Sequence, residues 1–263
     1  MPRANRHYLP GYVWHITHRC HKKEYLLKFV KDRRCWIEWL FQAKKRYGLS
    51  ILNYMVTSNH IHLLVSDDGN RDTIPKSIQL IAGRTGQEYN LRQKRKGAFW
   101  EDRYHATAVE SGEHLAKCMV YIDMNMVRAG VVMHPGQWIF CGYKEIQSPR
   151  KRYGLLDYQK LMALLEMRNL ELLQQSCKGW VEEALRSGNH VRESKWSESI
   201  AVGSTRFVKA TKEKLGIKAK GRQVVGEEGG FQLREPAVSY SADFGPQNDV
   251  LRLENTYYWN YNP

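Results

Sequence analysis

Two histidines one residue apart, His60 and His62, lie in the run Ser58-Asn59-His60-Ile61-His62-Leu63-Leu64-Val65. Strand side chains alternate between faces. A strand here would point both imidazoles one way and Ile61, Leu63 and Val65 the other, into a core. Two imidazoles so placed can share one metal ion. Alone, His-x-His is a weak signal, because surface and packing histidines produce it more often. It gains weight from a second run about sixty residues downstream, Tyr121-Ile122-Asp123-Met124-Asn125-Met126-Val127-Arg128-Ala129-Gly130.

A helix fits that second run. Ser111 can cap it, Glu113 suits its positive end and Gly130 can stop it. Leu115, Met119, Ile122 and Met126 share one face and read as core. Tyr121 lies roughly 120° from Leu115 and shares a polar stripe with Lys117, Asn125 and Arg128. By itself this is an ordinary amphipathic helix with a boundary tyrosine. Beside His60 and His62 it becomes a hydroxyl flanked by two cations and an amide. Tyrosine, with a pKa near 10, is a poor nucleophile at pH 7, and a phosphodiester repels attack by its own charge. A divalent metal held by His60, His62 and the Asn125 amide oxygen would polarise the phosphate.

These residues resemble a known family. His-hydrophobic-His on a strand, then a helix with Tyr-x-x-x-Asn and Val127-Arg128-Ala129-Gly130, is similar to the single-tyrosine HUH transposases, most of all their REP-associated branch. Met1-Pro2-Arg3 with Arg6, and Trp14-His15-Ile16-Thr17-His18-Arg19, resemble the family's opening and first strand. Gly97-Ala98-Phe99-Trp100-Glu101-Asp102-Arg103-Tyr104 is similar to its Gly-x-hydrophobic-Trp-x-x-Arg-Tyr segment. The resemblance runs in order through about residues 1–145. Ser58 and Met126 stand where the family usually has proline, and neither is a ligand or nucleophile position.

The resemblance implies a transposase that cleaves and rejoins single-stranded DNA beside hairpin or palindromic repeats. Tyr121 would be the catalytic nucleophile, leaving a 5′-phosphotyrosine and a free 3′-hydroxyl. The metal would be Mg²⁺ or Mn²⁺, with Mn²⁺ better matched to two imidazoles. Lys94, Arg95 and Lys96 form a basic loop expected to touch the DNA backbone together with Arg3 and Arg6, and Lys117 and Arg128 flank the tyrosine. A solvated loop is the competing account of Lys94 to Lys96. Whether Tyr121 serves the histidines of its own chain or of a second copy stays open, so a homodimer is a candidate assembly. The alternative function is a domesticated hairpin-binding protein without catalysis, against which the intact His60, His62, Tyr121 and Asn125 speak. A histidine-triad hydrolase is set aside because position 64 is Leu.

Composition agrees with a nucleic-acid partner. The 263 residues carry a formal net charge of +14. Residues 1–150 hold 24 Lys and Arg against 13 Asp and Glu, net +11, so the excess lies on the part with the motifs. The five cysteines are odd in number and lack a Cys-x-x-Cys pair, which fits a reducing cytoplasm better than a disulfide framework. No apolar run is long enough to span a bilayer and no signal peptide precedes Trp14, so the expectation is a cytoplasmic location with no membrane partner.

The elements that must position the motifs read as strand, helix, strand, strand, helix, strand, helix. They fall at about residues 11–18, 31–47, 51–57, 60–66, 73–92 and 103–109, with the Tyr121 helix last. This α+β order predicts a ferredoxin-like split βαβ antiparallel sheet with both crossover helices on one face. The His60 strand then lies inside the sheet, and the Tyr121 helix can fold over the open face. Residues 1–147 form the expected catalytic domain, and 148–263 a basic, mostly helical C-terminal extension of uncertain role. In the extension, Leu155 to Leu173 and Trp180 to Leu185 read as helices, Ser204 can cap another, and Tyr257-Tyr258-Trp259-Asn260-Tyr261 can stack on bases or, the favoured reading, dock on the core.

Overall fold

The computed structural model describes residues 9–188, 192–227 and 229–235. Arg3, Arg6 and the Tyr257–Tyr261 cluster lie outside these residues. In chain order the elements are β1 (Val13–Arg19), α1 (Val30–Tyr47), β2 (Ser50–Val56), β3 (His60–Ser66), α2 (Thr73–Arg92), β4 (His105–Val109), α3 (Glu113–Asp123) and α4 (Asn125–Arg128). Then follow α5 (Gly142–Gln147), α6 (Tyr158–Leu164), α7 (Leu170–Ser187), α8 (Lys195–Glu198), β5 (Ala201–Gly203), α9 (Thr205–Leu215), β6 (Gln223–Glu227) and β7 (Gly230–Arg234).

The first four strands take the order β2-β3-β1-β4, all antiparallel, which is the split βαβ arrangement expected from the element order. β3 is therefore internal, with His62 opposite Thr17 of β1 and Met55 of β2. Both of its faces are covered, so every residue from Ile61 to Ser66 is buried. Gly48, at φ 71°, ends α1 in the left-handed conformation that glycine adopts without steric cost. Trp36, Leu40 and Ala43 of α1 and Ile78 and Ile81 of α2 bury the face opposite the histidines.

The extension is helical over α6 to α9, and it also lengthens the sheet. β5 pairs parallel to β4, with Ala108 opposite Ala201, and β7 and β6 follow antiparallel. Leu161, Leu173, Val181, Trp196, Val208 and Leu233 join the same buried cluster as the β1–β4 residues, so one core runs across position 147. Three details differ from the sequence reading. The segment from Leu155 to Leu173, expected as one helix, is split between α6 and α7, and α7 runs on through the expected Trp180–Leu185 helix. Gly112, not Ser111, stands at the N-cap of α3, and no side chain caps it. The expected single helix from Leu115 to Met126 is interrupted at Met124, whose ψ of −1° leaves α3 and α4 as separate segments. Ser204 does cap α9, accepting from the Phe207 N–H at 3.2 Å. All five cysteines are free, and among the described residues no helix is long and apolar enough to cross a membrane.

α3 is fixed to the histidine face by one buried pair. Asn53 of β2 donates from Nδ2 to Asp123 Oδ1 at 3.0 Å, and Asp123 is 2% exposed. Gly142 opens α5 against this pair, where a Cβ would collide with Asn53 Oδ1. Burial raises the Asp123 carboxyl to about 7, opposed by hydrogen bonds from Asn53 and the Tyr143 backbone. The folded state therefore holds this proton more tightly than the unfolded chain. Its contribution to stability is full below the unfolded value of 3.8 and is lost as pH rises through about 7. Asp123→Asn, which cannot ionise, should be more stable than wild type at pH 8 by up to a few kcal/mol, at about 1.4 kcal/mol per unit of pKa. The advantage should shrink toward pH 4.5. Urea unfolding at the two pH values checks this, and a difference independent of pH would contradict it.

Candidate active site

The turn between β2 and β3 builds the first imidazole. Thr57 Oγ1 donates to the His60 carbonyl at 2.8 Å and accepts from the His60 N–H at 3.0 Å, which closes a tight hairpin. Asn59 Oδ1 lies 2.7 Å from His60 Nδ1 and can only accept, so Nδ1 carries the hydrogen and Nε2 is bare. His62, two residues on, sits on the same face with its ring perpendicular to that of His60, centroids 5.0 Å apart. Its Nδ1 lies 2.9 Å from Nε2 of His15, and its Nε2 lies 2.9 Å from the Asn125 amide nitrogen. The same amide nitrogen is 3.4 Å from His60 Nε2. Both ring nitrogens thus converge on one side chain of α4.

Burial, aided by Arg19, Arg192 and Arg128, lowers His60 to about 4. Burial first, then His60 and His15, holds His62 well below its ordinary value. Both rings are neutral at pH 7 and present lone pairs, the form a metal requires. Among the described residues no three His, Cys, Asp or Glu side chains are placed to share a metal ion. The donors available to a cation are two imidazoles and, with the Asn125 amide turned to present its oxygen in place of the nitrogen that now faces them, a third, a mixed nitrogen and oxygen set that suits Mn²⁺ and accommodates Mg²⁺.

Tyr121 reaches this cluster from α3 in the same chain. Its ring meets His62 edge-on at 5.9 Å and His15 at 6.2 Å. It is 5% exposed rather than part of an open polar stripe, because Trp196 of α8 packs 6.1 Å from it. Arg128 covers its ring, Cζ 4.3 Å from the centroid, and donates to the Tyr121 carbonyl at 2.8 Å. Burial raises the hydroxyl's pKa, while Arg128, Arg192 and a hydrogen bond with Ser197 oppose the rise.

The cluster opens into a cleft of about 690 Å³ lined by His60, His62, Tyr121, Asn125 and Arg128 and by three further guanidinium groups, Arg19, Arg103 and Arg192. Glu101, Asp102 and Glu198 also line it, and Glu198 pairs with Arg192 at 3.1 Å. Other expected DNA contacts fall elsewhere. Lys117 pairs with Glu113 at 2.6 Å on the outer face of α3 and does not line the cleft. Lys94, Arg95 and Lys96 do not line it either. Lys94 and Lys96 are exposed, but Arg95 holds its own loop, donating to Ala98 O at 2.9 Å and pairing with Glu24 at 3.5 Å.

Several residues here were not singled out from the sequence. His15 was within reach of it, since alternation along β1 puts His15 and Thr17 on one face and the topology sets β1 beside β3. Arg192, Trp196 and Ser197 were not, because nothing local announces that α8 returns to the site. Arg128 is the largest influence holding the Tyr121 hydroxyl's pKa down. Arg128→Met should therefore raise that pKa further. A pH titration of ¹³Cζ-labelled tyrosine checks this, and an unchanged or lowered value would show that the guanidinium does not act on the hydroxyl.

Two solved structures are similar in backbone course. One is a REP-associated tyrosine transposase bound to a REP hairpin, at 17% identity and TM-score 0.48, covering 60% of this chain and 94% of that one. The other is a putative transposase from Deinococcus radiodurans R1, at 18% identity and TM-score 0.32, covering 47% of this chain and 96% of that one. No curated protein sequence matches. The model of the family described as "Transposase IS200 like" matches residues 11–125, from the start of the sheet to the amide that faces both histidines, and bears out the likeness read from the motifs. Residues 11–125 are thus similar to the IS200-like transposase family.

Proposed function

We propose that this chain cleaves and rejoins single-stranded DNA beside hairpin or palindromic repeats, with Tyr121 as nucleophile. One observation carries the reading: within one chain, Tyr121 packs on His62, whose Nε2 converges with that of His60 on Asn125. The Tyr121 oxygen would bond to the scissile phosphorus as the bond to the 3′ oxygen breaks. The electron pair leaves with that oxygen, which gains a proton as the tyrosine loses one. The products are a 5′-phosphotyrosine and a free 3′-hydroxyl, and attack by a 3′-hydroxyl on the same linkage reverses the step without ATP. Arg128 and Arg192 stabilise the anionic form of Tyr121 against the cost of burial. When bound by His60, His62 and Asn125, a divalent cation would polarise a non-bridging phosphate oxygen. The guanidinium groups lining the cleft suit a phosphate backbone.

Tyr121→Phe should bind single-stranded DNA about as well as wild type and form no covalent adduct on a denaturing gel. An adduct in this variant would remove the nucleophile assignment, and tight binding without any adduct in wild type would favour the hairpin-binding alternative. Chelation should abolish cleavage and Mn²⁺ or Mg²⁺ restore it, with His62→Ala needing more metal or staying inactive.

Binding should favour a hairpin with single-stranded flanks over a duplex of the same sequence and weaken with salt. Each neutralised phosphate on a single strand contributes a slope of about −0.7 in log K against log salt. Because Arg95 is engaged within its loop, replacing Lys94 and Lys96 by Ala should flatten the slope by up to about 1.4. Gel shifts at several salt concentrations measure both effects. Equal affinity for duplex and hairpin would reject the substrate, and an unchanged slope would show the lysines to be solvated only.

A further inference from the structure

We propose that His15 is a positioning residue that fixes the tautomer of His62, and that the C-terminal extension sets this through the backbone carbonyl of Trp196. The inference rests on the reading of His62 as a metal ligand and adds how that ligand is kept ready.

The argument is one of hydrogen-bond polarity. His15 Nδ1 lies 2.7 Å from the Trp196 carbonyl oxygen. A carbonyl can only accept, so the hydrogen is on His15 Nδ1. His15 is 0% exposed and its hydrogen-bond partners are a carbonyl and an imidazole with no carboxylate, so a charged ring would be uncompensated: the ring is neutral and its Nε2 bare. That bare nitrogen lies 2.9 Å from Nδ1 of His62, with the two rings stacked 11° from parallel. His62 Nδ1 must therefore donate, and the only ring nitrogen left with a lone pair is Nε2, which faces Asn125.

Polarity passes from α8 through β1 to β3, and the far end of the relay is a bare nitrogen at the place a cation would occupy. His60 reaches the same tautomer locally, through Asn59 at 2.7 Å. His62 has no such neighbour in sequence, and its partner is 47 residues away. The Trp196 carbonyl is in turn held in place: Trp196 is 1% exposed, and Thr107 Oγ1, which donates chiefly to the Ser199 carbonyl at 2.7 Å, lies 3.3 Å from the same oxygen. Without His15, the His62 hydrogen is free to move to Nε2, and a metal must then displace it. Loss of such an outer partner typically weakens metal binding by about 10–100-fold.

Two measurements on the full-length chain test this. The first is a long-range ¹H–¹⁵N spectrum of the metal-free wild type, with His62 assigned from its loss in His62→Ala. It should show a protonated Nδ1 and a bare Nε2 on His62, and a hydrogen on Nε2 overturns the proposal outright. The second is calorimetric titration with Mn²⁺ alone. His15→Leu should bind about 10–100-fold more weakly than wild type. His15→Gln, which puts an amide oxygen where Nε2 stands, should recover most of the affinity. If His15→Leu melts like wild type and binds Mn²⁺ equally well, the positioning role is wrong. A leucine variant and a glutamine variant that are equally weak would also refute it, because polarity would not be what matters. If wild type and His62→Ala show the same Mn²⁺ affinity, the metal reading fails instead, and the spectrum still decides the tautomer.

Discussion

An imidazole buried inside a sheet has two ring nitrogens that call for protein partners, and that constraint at His62 organises this protein. β3 is covered on both faces, and His62 is 3% exposed. Each nitrogen must find a protein partner or cost about 1–3 kcal/mol. One is met by His15 from β1, the other by Asn125 from α4. Neither partner is near in sequence, so both strand order and helix placement are tied to the same ring. β1 must lie beside β3 in the register that sets Thr17 opposite His62, and α3 must cross the open face far enough for α4 to arrive above it. The Asn53–Asp123 pair fixes that crossing from the far side of β3.

The extension belongs to this arrangement. β5 continues the sheet from β4, and the chain just before it passes back over the histidine face as α8. That passage brings a ring against Tyr121, a carbonyl to His15 and a hydroxyl toward the tyrosine oxygen. A four-stranded split βαβ unit alone would leave Tyr121 on an open surface. The added strands therefore decide the environment of Tyr121 as well as enlarging the core.

Much of the β1–β4 unit was legible because its signals are local. Alternation in Ile61-His62-Leu63 put both histidines on one face, Gly48 stopped α1, and the order of elements implied the topology that places β3 inside. The convergence of Asn125 with the histidines followed from the same topology. What local signals missed has a common cause. The polar stripe of Lys117, Tyr121, Asn125 and Arg128 was read as though the helix face away from the core met solvent, but α8 covers part of it, which separates buried Tyr121 from exposed Lys117. Met124 carries no proline or glycine to mark the break between α3 and α4. β5 is three residues long, too short for period-two alternation to register, so a strand that carries the whole added sheet went unseen. Arg95 looks like its lysine neighbours in sequence and differs from them only in the loop contacts it makes.

The packing that places Tyr121 also favours its protonated form. Burial is the largest effect on its hydroxyl and favours the protonated form, and the two arginines offset it only in part. The same desolvation keeps His60 and His62 neutral, where it favours metal binding instead of opposing it. One environment thus acts with opposite sign on the two parts of the site: it keeps the imidazoles neutral and the phenol protonated. The second effect eases when positive charge accumulates near the phenol. One source of such charge is the Arg128 guanidinium already stacked on the ring, and a cation held by the bare nitrogens beside it would be a second. If Tyr121 is the nucleophile proposed above, an ion held by His60, His62 and Asn125 would favour its anionic form as well as polarise the phosphate, so one binding event would act on both.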